Sequence, residues 1–528
     1  MFHARLYGVP IRLSNLITTA QIAFSSSRRH KYAMPHCFMA IKRPPRPPQW
    51  LNPVQMLDAI MKTFAVFRVY SQPHAGAVGR SEAVSARPLP LPEKLAHRLR
   101  DLCAIPTDGA RPDDLHAAAH LVGMLLHGIG MDVRRSDTPG APLIVARRAG
   151  RSARTIVLYH HYDTAPAGPW RAWSHEPFAL AERDAALYAR GVVDGKGPFI
   201  AHLQALEALL TAEGELPCTV VVIVEGAAHQ GSPNLAATLA AHAKALHADG
   251  VLGSVGERTA GGTPLCYSGS KGLLQVRLST PGDAHPIAAG FAPTVRNPLW
   301  RLIWALGQIK GEDEDIRIAG FYDQVEGPTR AENAALRQLT FDEPGRLAAW
   351  GGSEFLFGMS GAALVRAETT LPTCNIGAIV GEPLLDHALI PAGASARLDF
   401  QLVPNQAPEA ICALLKAHLA ATGFADVGVE LLPGGYPPTR SDPTAAFIHQ
   451  ISAAGSAVYG HPLPTVPAGP FTLPLHTLAT LSTAPAASLG LRRPASNLFG
   501  PDEHAPLDDL MRHGQILIEV LRRTAALV

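Results

Sequence analysis

The chain has 528 residues, 46 Lys and Arg against 44 Asp and Glu, a net charge of +2, and 47% hydrophobic against 17% charged residues. That length exceeds one ordinary core, so two domains are expected, and near-neutral charge gives no basis for a nucleic-acid partner. Without a run of about 18 apolar residues, no membrane partner or spanning helix is expected. Six cysteines at 37, 103, 218, 266, 374 and 412 form no Cys-x-x-Cys. That scatter predicts reduced, mostly buried thiols in a cytoplasmic protein.

Residues 1–57 contain no Asp or Glu but carry Arg28, Arg29, Lys31, Lys42, Arg43 and Arg46, with Ser25-Ser-Ser27 and Pro44-Pro-Arg-Pro-Pro48. Such composition reads as disorder-prone. It also reads as an organelle transit peptide, and a third reading starts the protein at Met56 or Met61. Residues 1–92 therefore form, on this reading, a basic extension without a fold of its own.

From residue 93 strands and helices alternate, as a doubly wound α/β sheet requires. Residues 155–159 (Thr-Ile-Val-Leu-Tyr) predict a buried strand that runs out at His161 and Asp163. Open α/β sheets collect ligands beyond such carboxyl ends. A histidine with a carboxylate close behind suits a zinc ligand and the acid that fixes its tautomer. Residues 185–189 predict a second strand, leading to Asp194 and a helix whose apolar Phe199, Leu203, Leu206 and Leu210 recur every three or four positions. Asp194 could equally cap that helix. A third strand, residues 219–224, runs into Glu225-Gly-Ala-Ala-His229-Gln-Gly-Ser-Pro233. Three consecutive strand ends thus bring His161, Asp194 and His229 to one pocket, all ligand types that zinc accepts. The alternative for His229 is a hydrogen-bonded loop histidine. Ser232 belongs to a loop that positions backbone N–H groups and is no nucleophile, since no base accompanies it.

Residues 273–278 predict the strand that leaves this domain, followed by Asp283-Ala-His285. Asn297-Pro298 starts a helix through Leu299, Leu302, Ile303 and Leu306, with Pro where helix starts favour it. Residues 394–403 return as an alternating strand containing Gln401. A helix through Ile411, Leu414, Leu415 and Leu419 follows, and a last one covers residues 507–527. Trp170, Trp173, Trp300 and Trp304 read as packing residues. The expected fold class is α/β: a doubly wound catalytic domain in two parts, residues 93–278 and 392–528, interrupted by a smaller α+β domain, residues 279–391.

In order and spacing, these motifs resemble those of the zinc amidohydrolases and dipeptidases that include carnosinase, acetylornithine deacetylase and succinyl-diaminopimelate desuccinylase; the resemblance covers residues 93–528. It implies a zinc-peptidase-like catalytic domain with a lid domain through which two copies dimerise. It also implies Zn2+, Co2+ or Mn2+ as cofactor, and hydrolysis of the amide bond of a dipeptide or N-acyl amino acid. His161 resembles a metal ligand, Asp163 its supporting acid, and Asp194 the carboxylate that bridges two metals. His285 resembles the lid histidine that polarises the scissile carbonyl, and Asn297, Gln401 and Ser232 fall at substrate contacts.

The departures fall on the chemistry. Family members have two glutamates, a general base and then a metal ligand, where this chain has Ala228 and His229. Alanine cannot take a proton, and general acid–base catalysis contributes about 10²- to 10⁴-fold, so its loss implies roughly 3–5 kcal/mol. His229 is left as ligand or substitute base. The family's last metal-binding histidine corresponds to Phe499 in the register Phe499-Gly-Pro-Asp-Glu503, or to His504 in a shifted one. The remaining acidic ligand maps to Ser254 or Val255, or with a small insertion to Glu257. Gln401 replaces an arginine able to grip a carboxylate with both arms. Because the positions of His161 and His229 serve different metals in the family, one ion is not expected to reach both, and an intact dinuclear site is not expected: one ion, or none. The competing expectation is a non-hydrolytic relative that binds or remakes an amide or acyl amino-acid compound.

Overall fold

The computed structural model describes residues 4–6, 9–11 and 91–527, apart from 244–245, 260, 340 and 385–386. The readings of the N-terminal extension, including the starts at Met56 and Met61, and Cys37 lie outside the described residues. The exception is an antiparallel pair, Ala4–Leu6 with Val9–Ile11, in the unit Met1–Ala86. Every other described element belongs to the unit Arg87–Val528.

Strands buried on both faces build the larger sheet. Leu216–Glu225 is buried at every position and Gly150–His161 over its last six, the pattern of parallel strands covered by helices on both sides. They pair in parallel up to His161↔Glu225. Gly250–Gly253 and then Ala486–Ser488 continue in parallel on one side. Leu143–Arg148 and Asp132–Ser136 extend the sheet antiparallel on the other, and Cys266–Tyr267 and Thr465–Val466 beyond Ala486–Ser488 complete its eight strands. Leu99, Val122, Phe199, Ile451 and Leu517, each from a different helix, pack on one face. Leu235, Leu239, Leu475 and Leu478 pack on the other.

A second sheet orders Thr373–Glu382, Gly393–Leu402, Gly269–Pro281 and Gly428–Leu431 side by side. Its long central pair runs from Gly272↔Leu402 to Pro281↔Gly393. Helices Pro298–Ile309 and Pro408–Ala421 cover it through Leu302, Leu306, Ile411 and Leu415.

Three expectations are corrected. The lid boundaries at 279 and 391 do not hold. Gly393–Leu402 and Pro408–Ala421 belong to the lid, because Ala396, Leu398 and Phe400 point into the core shared with Leu274, Val276 and Leu278. Conversely Leu336, Leu339 and Val365, expected in the lid, pack on the larger sheet. The strand expected at 185–189, Ala186–Tyr188, is not in the larger sheet. It pairs with Ala181–Arg183 and His504–Pro506 in a separate three-stranded sheet instead. Finally, Trp173 is buried, but Trp170, Trp300 and Trp304 are exposed. Turning Leu302, Ala305 and Ile309 inward leaves Trp300, Ile303 and Trp304 on the outer face of their helix.

Cys103, Cys218, Cys266, Cys374 and Cys412 are unbonded and buried. No described helix is long and apolar enough to cross a membrane.

Behind the strand end of His161 lies a wholly buried trio, His160, His202 and His513. His202 Nδ1 is 3.2 Å from His160 Nε2, and its ring stacks on His513 at 4.5 Å. Burial pushes His202 down to about 3, whereas an unfolded histidine titrates near ~6.5. Between those values the unfolded chain binds the extra proton, so stability is complete above ~6.5 and falls as pH drops toward 3. His202 alone contributes on the order of 4 kcal/mol across that window. Urea unfolding at pH 7 and pH 4.5 should therefore show a smaller acid loss for His202→Leu than for wild type. Equal losses would sink this account.

Candidate metal centre

His161 ends its strand, and Tyr162 donates its N–H to Glu225 O at 2.8 Å, holding the two strand ends together. Gly226 makes room for this crossing: a Cβ there would lie 2.2 Å from the Tyr162 ring. The short turn Ala228–Gln230 then carries His229 over the sheet edge. Asp194 arrives from the loop before helix Lys196–Glu213. Gly195, at φ +86°, follows it where a Cβ would meet His161 O at 2.7 Å. Asp194 does not cap the helix, which has no side-chain cap.

The three expected ligands come together. His161 Nε2 is 3.9 Å from Asp194 Oδ1, His229 Nε2 is 3.7 Å from Asp194 Oδ2, and the donor atoms all lie within 4.8 Å of one another. Around a tetrahedral zinc with bonds of about 2.0–2.2 Å, neighbouring donors lie about 3.3–3.6 Å apart. The set is therefore slightly open, and its nitrogen and oxygen donors fit one divalent cation. The three donors lie near enough to one another to hold an ion, with a separate oxygen of Asp194 facing each imidazole.

Asp163 supports both histidines. His161 Nδ1 lies 3.0 Å from the Asp163 carbonyl oxygen and 3.3 Å from its Oδ1, and Asp163 Oδ2 accepts the His229 backbone N–H at 2.8 Å. Holding Nδ1 leaves Nε2 as the donor, the role of an acid behind a ligating imidazole. Burial opposes charge on His161, but Asp163 and Asp194 outweigh it and raise the imidazole well above its ordinary value. Burial likewise acts against the Asp194 carboxylate. The Arg492 charge, with His161, overrides it and holds Asp194 well below the usual range.

Other expected residues lie elsewhere. Glu257 ion-pairs with Arg346 and takes no part in the ligand group. His504 stacks on Tyr188 at 4.7 Å, with Nδ1 3.0 Å from Asp502 O. Its shifted register fails because buried Glu503 is fixed by Arg190 and by the N–H groups of Gly191 and Val193, which leaves Phe499 beside His229. Ser232 Oγ donates to Glu225 at 2.7 Å and its N–H to Ala227 O, so neither is offered to a ligand. Asn297 is spent capping the lid helix, accepting from Leu299 N–H at 2.9 Å. His285 is exposed and lies outside the pocket lining. Gln401 does line the pocket.

That pocket, about 300 Å³, lies between the sheets: His161, Asp194, Ala228 and His229 on one side, and Gln275, Asp399 and Gln401 of the lid strands on the other. It is at the small end of ligand sites, roughly 300–1,000 Å³. Its carboxylates are Asp194, paired as above, and Asp399, whose Oδ1 accepts from Asn375 at 2.9 Å. Just behind, burial pushes Glu225 up to about 7, where it receives the hydroxyls of Tyr159 and Ser232. Ala228 offers no proton acceptor.

Sequence reasoning missed Arg492, whose Nη2 donates to Asp194 Oδ1 at 3.0 Å. It also missed Asp399 and Gln275. The available signal for Arg492 was its place just beyond the apolar residues 486–491, a strand end one removed from the strands flanking His161.

The profile of peptidase family M20/M25/M40 matches residues 157–523. The Cys-Gly metallodipeptidase dug1 of Schizosaccharomyces pombe is 25% identical over 290 residues, 54% of this chain and 61% of that protein. The cysteinylglycine-S-conjugate dipeptidase of Corynebacterium striatum is 25% identical over 428 residues, 78% of this chain and 91% of that one. Among solved structures, the M20 family metallo-carboxypeptidase Sso-CP2 from Sulfolobus solfataricus superposes with a TM-score of 0.76 at 27% identity, covering 82% of this chain and all of that one. Human carnosine dipeptidase 1 shares the fold, with a TM-score of 0.73 at 20% identity, over 83% of this chain and 97% of that one.

Proposed function

The chain belongs to peptidase family M20/M25/M40, and from that premise we propose that it is a metal-dependent hydrolase of the amide bond in a dipeptide. One observation carries the reading: His161, Asp194 and His229 converge within 4.8 Å at the floor of a cleft roofed by the lid. Bound there, a divalent cation such as Zn2+, Co2+ or Mn2+ supplies a Lewis acid for a scissile carbonyl and a lowered pKa for water. The chain's own residues do the rest. Asp163 holds His161 by Nδ1 and His229 by its backbone, so both rings keep their aim without reorganising. Asp399, opposite, is the acceptor for a substrate ammonium, and Gln275 and Gln401 supply amide donors and acceptors for the peptide group. Alanine at 228 offers no proton acceptor, and a His229 that holds the ion through Nε2 keeps its other ring nitrogen protonated, so the ligand group itself supplies no base.

Dimerisation through the lid is part of the same proposal. The outer helix face of Trp300, Ile303 and Trp304 is apolar and exposed, as are Ile376, Ile379 and Val380 on the sheet's edge strand, and contiguous patches of this kind mark interfaces.

The test uses the full chain, stripped with a chelator and reloaded with Zn2+, Co2+ or Mn2+. Bound metal should accompany hydrolysis of Cys-Gly or β-Ala-His, and the chelator should abolish it. Light scattering should give twice the chain mass. Protein that takes up none of the three metals would end the metal-dependent reading, and a monomer would end the dimer.

A further inference from the structure

Arg492 is the feature of the pocket that the proposed function leaves unused. Its Nη2 lies 3.0 Å from Asp194 Oδ1, the oxygen that faces His161, while His229 faces Oδ2. The guanidinium is only 16% exposed, and Cζ stands 5.7 Å from the Phe471 ring and 5.9 Å from the Phe499 ring. Aromatic faces on two sides attract a cation. Its Nε is buried without a hydrogen-bond partner, so the charge of Asp194 and the two rings are what hold it.

We propose that Arg492 is a built-in second cation beside Asp194, so that the centre takes one divalent ion per chain and not two. This rests on the metal-dependent reading above. Two arguments converge. Among the described residues, the one group of three His, Cys, Asp or Glu donors close enough for an ion is His161, Asp194 and His229. The neighbouring walls are Ala228, Val255, Phe471 and Phe499, which offer a second ion no donor. A second divalent charge beside Asp194 would also lie close to a fixed guanidinium 3.0 Å from its Oδ1, and like charges at that range repel strongly where water is excluded. The arginine thus supplies beside Asp194 a fixed positive charge that needs no metal supply.

The test is calorimetric titration of the stripped full chain with Co2+ and with Zn2+, with metal counted after gel filtration. Wild type should saturate at one ion per chain. Arg492→Gln, which removes the repelling charge, should bind that ion about tenfold tighter or more, and Arg492→Lys should behave as wild type. Two ions on wild type, or Arg492→Gln matching wild type in count and affinity, would overturn the inference. The wild-type count needs no variant to fold. A wild type that binds no ion ends the metal-dependent reading together with this one. Two bound ions with chelator-sensitive hydrolysis end this one alone.

Discussion

Asp194→Asn is expected to lose metal at concentrations that saturate wild type, and hydrolysis with it. The exchange keeps the shape of the side chain and removes its charge. Asp194 is the only anion among the three donors, it is buried, and each of its oxygens faces one imidazole. Its partner in ion pairing, Arg492, would be left without a counter-charge in a largely buried position. Stranding one member of a buried pair costs about 3–5 kcal/mol, so the melting temperature should fall as well. Asp163→Asn is the instructive contrast. Asp163 lies behind the His161 imidazole and accepts the His229 backbone N–H, and loss of such a support weakens metal binding by about 10- to 100-fold. Asp194→Asn should exceed that range. If the two variants lose metal equally, Asp194 is not the centre of the site.

Ala228→Glu is expected to raise kcat by about 10²- to 10⁴-fold, roughly 3–5 kcal/mol of transition-state stabilisation. Ala228 lines the cleft directly beside His229, and its own side chain carries no proton acceptor. A glutamate there would supply a base that can deprotonate the attacking water, which His229 cannot do while its Nε2 lone pair holds the ion. The gain should appear in kcat with little change in KM, because the new group acts on the reaction and leaves the lid contacts of the substrate alone. A wild type that already hydrolyses dipeptides as fast as the variant would remove the idea that this position limits the reaction. It would also retire the expectation of a relative that has left hydrolysis behind.

Much of the fold was legible along the chain. Strands at 155–159 and 219–224 announced themselves as short β-branched runs, and both are central in the larger sheet. The helices after Asp194 and Asn297 followed from their apolar spacing. Residues 394–403 were equally clear as a strand, observed at Gly393–Leu402, yet were assigned to the wrong sheet. Alternation of period two says that one face is buried and is silent on what buries it. The ligand trio was found because each member follows a recognisable motif. Arg492 was not, because nothing near it in sequence concerns Asp194, which is almost three hundred positions away.

By itself, then, the sequence determined which segments become strands and helices, and which ligand-type residues their ends carry, since both depend on patterns a few residues long. Only the tertiary structure decided that Glu257 answers to Arg346, that Asn297 and Ser232 spend their polar groups inside the fold, and that an arginine faces the same carboxylate as two histidines. The physical reason is that a charged or polar side chain takes whichever partner the packing brings within about 3 Å, and that partner is set by how whole sheets stack.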